Sequence, residues 1–107
     1  MRVLAKDVAA HSGKNVQIQG WLHKKRLLGG LTFIVVRDRT GLTQVVVQDK
    51  DEVEKLRGMQ IGTVLTVEGK ASSEPRAPGG AELHDPKITI IVPVTDEPLI
   101  EIDKPLS

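Results

Sequence analysis

The chain has 107 residues, enough for one domain around one hydrophobic core. It contains no cysteine, which excludes a disulfide or a thiolate metal site and suits a reducing cytoplasm. The net charge of +1 excludes a uniformly basic nucleic-acid binder, so any such binding has to come from local placement of charge.

In chain order, Ala5 to His11 reads as a short helix stopped by Ser12-Gly13. A strand is expected over Asn15–His23, with Val16, Ile18 and Leu22 on one face and Gln17, Gln19, Trp21 and His23 on the other. Gly20 interrupts the apolar face and marks a bulge or a sharp bend. Lys24 to Gly30 reads as a basic loop ending in two glycines, and Leu31–Asp38 as the second strand. Arg39-Thr40-Gly41 forms a tight turn in which Asp38 accepts from backbone N–H groups, and Leu42–Gln48 is the third strand. Asp49 to Met59 reads as a helix capped by Asp49 or Asp51, with Val53, Leu56 and Met59 along one side. The fourth strand covers Thr63–Ser72, and Glu74 to Ala81, with two prolines and two glycines, is a loop. Leu83–Val94 is the fifth strand, with Pro86 near its start and Pro93 near its end. Thr95–Ser107 is acidic and proline-containing and reads as a linker, so residues 1–94 form the domain and 95–107 the tail.

A helix, three strands in a meander, a second helix and two strands is the order of a five-stranded Greek-key oligonucleotide-binding (OB) barrel, an all-β class with minor α. In that fold strands two and three present the binding face, flanked here by the Lys24–Gly30 and Glu74–Ala81 loops. Trp21 and Phe33 are the only aromatic residues. By residue type alone Phe33 reads as core. Ile34 and Val36 on the alternate face are enough to fill that core, which turns Phe33 outward, where a ring can stack on an unpaired base. Gln44 on the next strand could read a base edge beside it. Trp21 is either a core ring or a partly exposed platform, the core being favoured.

Lys24, Lys25, Arg26, Arg37 and Arg39 bracket the second strand, as a phosphate clamp or a solvated basic loop. Glu82, an acceptor-only carboxylate, suits the N–H donors of guanine, though by type it is also an ordinary surface residue. Catalysis has little support: His11, His23 and His84 lack metal-ligand spacing, and neither a phosphate loop nor a nucleophilic triad can be argued. No apolar run is long enough to cross a bilayer, and MRVLAKDVAAHSGK has no signal-peptide apolar stretch, so no membrane partner is expected.

The run from Gly20-Trp21-Leu22 through Lys24-Lys25-Arg26-Leu27-Leu28-Gly29-Gly30 and Phe33 to Arg37-Asp38-Arg39-Thr40-Gly41-Leu42-Thr43-Gln44 resembles a known pattern. It is similar to the anticodon-binding domain of class II aspartyl- and asparaginyl-tRNA synthetases, which shows GWV, a basic loop, LGG or LGS, F and RDRxGxxQ. Ala77-Pro78-Gly79-Gly80-Ala81-Glu82 resembles the family's APGG-x-E loop, and Pro98-Leu99-Ile100 the stretch before its hinge.

The resemblance implies roles residue by residue. Phe33 would stack on the middle anticodon base, uridine, and Gln44 would hydrogen-bond it. Glu82 would read the first base, guanine, and Arg26 would contact the anticodon loop. His23 and Pro78 fall where the third base is sorted, and this pair resembles enzymes tolerant of both tRNAs or true asparaginyl enzymes. The N-terminal stretch and RDRTG lean towards the aspartyl-like bacterial branch. Lys24, Lys25, Arg37 and Arg76 would contact phosphates. The implied partner is the anticodon loop of the aspartate or asparagine tRNA, and the implied process protein biosynthesis in the cytoplasm. ATP and magnesium would belong to the catalytic part of a homodimeric parent ligase. This chain would hold no cofactor, catalyse nothing alone, and be a monomer by itself. The acidic tail ending at Ser107 reads as the start of a hinge. The alternatives are a freestanding single-strand-binding barrel without base preference and an OB-type protein-interaction module.

Overall fold

A computed structural model describes residues 2–28 and 31–92. A 3-10 helix, Ala5–His11, precedes β1 (Asn15–Leu28), β2 (Leu31–Asp38) and β3 (Gly41–Val47). Helix α1 (Lys50–Arg57) leads to β4 (Val64–Ser73), a 3-10 turn at Pro78–Gly80 and β5 (Ala81–Val92). The strands close into a barrel in the order β1-β2-β3-β5-β4, with a parallel β3–β5 contact among antiparallel pairs. This is the five-stranded OB barrel that the order of elements predicts.

The period-2 pattern decides which side chains meet inside. Val16, Ile18 and Leu22 from β1, Ile34 and Val36 from β2, and Val45 and Val47 from β3 share one core with Leu65, Val67, Leu83 and Ile88. Val53 packs against this core while Leu56 and Met59 join it, so α1 buries one side against the barrel. Asp49 caps the helix by accepting from the Asp51 and Glu52 N–H groups at 3.1 and 3.2 Å. Thr43 also points inward, fully buried, and its hydroxyl has no hydrogen-bond partner among the described residues.

Asp38 holds the barrel's other end. One carboxylate oxygen accepts from the Ala5 N–H at 2.8 Å. The other accepts from the Thr40 N–H at 2.7 Å, the Thr40 hydroxyl at 2.6 Å and the Gly41 N–H at 3.2 Å. Burial alone would raise its pKa, but these four donors together hold it below the ordinary carboxylate value. The turn expected at Arg39-Thr40-Gly41 is thus tied to the N-terminal helix 33 residues earlier in the chain.

Three expectations need correction. Lys24–Leu28 is not a loop: β1 continues through it, paired with β2 as far as Leu28 opposite Leu31. A register shift between Leu22 and Lys24 breaks the alternation there, which is why the segment lacks a strand pattern. The irregularity expected at Gly20 therefore lies at His23; Gly20 instead allows a close approach, because a Cβ there would strike the Arg37 carbonyl oxygen. β5 begins at Ala81, not Leu83, and Pro86 sits buried in mid-strand beside a second register shift. Gly29, Gly30, Pro93, Pro98-Leu99-Ile100 and the 95–107 tail lie outside the described residues, as does the domain boundary at 94. Among the described residues no helix is long and apolar enough to cross a membrane.

Candidate nucleic-acid interface

The outward side of β1, β2, β3 and β5 carries most of the residues singled out in the sequence. Pairing fixes their neighbours. Arg26 stands opposite Phe33, and Phe33 opposite Val46. One step along, Lys24, Val35, Gln44 and Glu82 form a row across four strands. A further step brings Trp21, Arg37 and Leu42 into line. Basic, apolar, amide and carboxylate groups therefore lie side by side on one surface.

Phe33 is half-buried and lies outside the core cluster, while its neighbours Ile34 and Val36 belong to it. Its ring thus stands on the outer face, as expected. Gln44 is not its direct partner; it faces Val35, which places it diagonally, about 7–8 Å away by the usual strand spacing. Val35 shares the outward parity but is only 2% exposed, so it forms a sealed floor between the two. Trp21 is not a core ring: it is 39% exposed and stands opposite Arg37.

The bulge at His23 sorts the basic run. His23, Lys24 and Arg26 are exposed, and Lys24 and Arg26 flank Val35 and Phe33. Lys25 takes the opposite parity, and its ammonium donates to the carbonyls of Leu56 at 2.8 Å and Met59 at 2.7 Å. It neutralises the C-terminal end of α1, where unpaired carbonyls and the helix dipole favour a cation. Lys25 is thereby tied to the helix end, whereas Lys24 and Arg26 stand on the outer face. Arg37 is exposed on the outer face, and the Arg76 side chain is 95% exposed on the loop before β5.

That loop is shaped by its glycines. Gly80 accepts from the Glu74 N–H at 3.0 Å, closing the loop. Gly79 has φ 79°, and a Cβ there would strike the Leu42 carbonyl oxygen, so the loop can lie directly on β3. Pro78, half-buried, opens the 3-10 turn. Gln44, Glu74, Arg76, Ala77 and Glu82 line an open depression of about 290 Å³. At its wall, Gln44 Nε2 donates to Glu82 Oε2 at 2.5 Å, and His84 Nε2 lies 3.1 Å from Glu82 Oε1. The Glu82 carboxylate is only 16% exposed yet borders the depression, which leaves its remaining lone pairs for a ligand. Sequence reasoning weighed His84 only as a metal ligand; its i, i+2 spacing from Glu82 on one strand face was the signal for this pairing.

Comparison with known proteins agrees with this geometry. Residues 16–91 match the tRNA anti-codon family model, described as an OB-fold nucleic acid binding domain. The aspartate–tRNA(Asp/Asn) ligase of Methanocorpusculum labreanum is 41% identical over 95 residues, 85% of this chain and 22% of that protein. The corresponding ligase of Thermus thermophilus is 34% identical over 107 residues, 97% of this chain and 23% of its own length. The crystal structure of asparaginyl-tRNA synthetase from Pyrococcus horikoshii superposes with a TM-score of 0.80 at 31% identity, over 100% of this chain and 26% of that one. The chain thus spans about a quarter of the length of these relatives. It belongs to the tRNA anti-codon family of OB-fold nucleic acid binding domains.

Proposed function

We propose that this chain binds the anticodon loop of the aspartate and asparagine tRNAs, reading guanine in the first position and uridine in the middle. The anticodon bases splay out of their stack onto β2 and β3, as single-stranded loops do on OB surfaces. Phe33 stacks on the uridine. Gln44 already gives an amide hydrogen to Glu82, and its carbonyl oxygen accepts from the uridine ring N–H. Glu82 accepts from the ring N–H and amino group of guanine; adenine presents a ring acceptor there and meets a carboxylate with no proton to share. Lys24, Arg26, Arg37 and Arg76 hold phosphates and set the position of the loop without reading sequence. His23, exposed beside the bulge, and Pro78, opening the 3-10 turn, sort the third base.

The observation that carries this reading is the half-buried, outward Phe33 ring on the same face as the Gln44–Glu82 pair. A general single-strand binder would need more stacking rings than the two aromatics of this chain. Joined to the remaining three quarters of a protein like its relatives, the domain would steer the acceptor end of the tRNA to a distant ligase site. ATP, magnesium and the dimer contact would belong to that remainder.

The test is a fluorescence-anisotropy titration with anticodon stem-loops that differ at one base. Binding is expected to weaken when the middle uridine is replaced. Phe33→Ala should cost about 1–3 kcal/mol, roughly 5-fold to 150-fold in Kd. Equal affinity for loops with and without that uridine would overturn the proposal.

A further inference from the structure

We infer that His84 is a positioning residue for base recognition: it fixes the carboxylate of Glu82 in the orientation that accepts from guanine. This rests on the reading of Glu82 given above. Glu82 Oε2 is held by Gln44 from β3, and Glu82 Oε1 lies 3.1 Å from His84 Nε2 on β5 itself. An ionised carboxylate only accepts, so the His84 ring attracts it with a proton on Nε2. With the Gln44 amide on one oxygen and the His84 ring against the other, the carboxylate is held at the edge of the depression it borders. Two of its four lone-pair sites remain, and guanine's two adjacent donors need two.

The backbone around His84 is built to aim the ring this way. A register shift in the β4–β5 pairing lies between Glu68 and Lys70, where Lys70 stands opposite His84. Asp85 takes the extra position at φ 52°, a left-handed conformation costly for a residue other than glycine. Pro86 follows, buried, and restores the alternation so that Ile88 reaches the core. At the same point Gly69 allows β4 to pass under the His84 carbonyl, since a Cβ at Gly69 would fall 2.8 Å from that oxygen. A bulge of this kind re-aims a side chain beside a functional site. Here it turns two successive residues, His84 and Asp85, to the outer surface next to Glu82.

The experiment measures the guanine-over-adenine preference at the first anticodon position, using stem-loops and the full chain. His84→Ala is expected to lower that ratio about threefold to tenfold, the scale of one hydrogen bond, while the preference for the middle uridine stays unchanged. His84→Gln places an amide donor in the same region and should restore the ratio. Thermal midpoints of both variants establish that they fold. Glu82→Gln is the reference: it should abolish the preference. If it does, and His84→Ala leaves the ratio intact or weakens every loop equally, the positioning role is overturned and Glu82 stands. If Glu82→Gln itself leaves the preference intact, the base-reading role of Glu82 fails, and the inference about His84 fails with it.

Discussion

Replacing Asp38 with asparagine should destabilise the domain at neutral pH far more than its small change in shape suggests. The carboxylate accepts four hydrogen bonds, one on Oδ2 from Ala5 and three on Oδ1 from Thr40 and Gly41. However the asparagine amide is turned, its NH2 group faces an N–H, and that donor is left unsatisfied. If the NH2 faces the buried Ala5 N–H, the loss is about 1–3 kcal/mol, and the other three bonds weaken because the acceptor is now neutral. A total of about 2–3 kcal/mol is a large part of a domain stability near 5–15 kcal/mol. It corresponds to a fall in Tm of roughly 10–20 °C. The pH dependence gives the sharper check. The folded Asp38 pKa is depressed, burial opposing and the four donors prevailing. Its contribution is therefore fully present above the unfolded value of 3.8 and fades as pH falls through the folded value. Urea denaturation from neutral pH downward should show parent and variant differing by a constant amount until about pH 5, then converging in acid. A difference that stays constant through the acid range would refute the assignment of this stability to the charged carboxylate.

Lys25→Met should cost about 1–2 kcal/mol by leaving the carbonyls of Leu56 and Met59 without their cation, measured by chemical denaturation, and leave stem-loop affinity close to that of the parent. A marked loss of tRNA affinity in a folded Lys25→Met variant would return this residue to the binding face. Thr43→Val should stabilise the domain by about 1 kcal/mol, because it removes a buried hydroxyl that has no partner among the described residues, at nearly constant volume; a lower Tm would show that the hydroxyl is satisfied.

The residues differ in how much of their place could be read from the chain. The outward Phe33 was legible because Ile34 and Val36 could fill the core on the other parity, and the core cluster contains both. The Asp38 turn and the Asp49 cap were legible because short acceptors at those positions act on N–H groups two or three residues away. Lys24–Leu28 was misread as a loop because an inserted bulge residue breaks the alternation on which strand reading depends. The place of Gln44 opposite Val35, rather than Phe33, depends on the registers set by the Asp38–Gly41 turn, which composition does not encode. The role of Lys25 was hidden because its acceptors lie 31 to 34 residues downstream. Trp21 was assigned to the core by residue type, but the face it shares with Gln17 and Gln19 keeps it outside.

The extra residue at His23 lets β1 change which of its numbered positions face the barrel without losing its pairing to β2. Upstream of it Val16, Ile18 and Leu22 enter the barrel; downstream Lys24 and Arg26 keep to the outer face while Lys25 turns to the end of α1. Deleting His23 would restore a plain alternation, with Leu22 still opposite Val36 and Lys24 still opposite Val35, so Lys24, Lys25 and Arg26 would keep their faces. The bulge is therefore the place where β1 can absorb the loss of one residue, whereas a loss within the unbroken stretch Asn15–Trp21 would turn part of the strand over against β4.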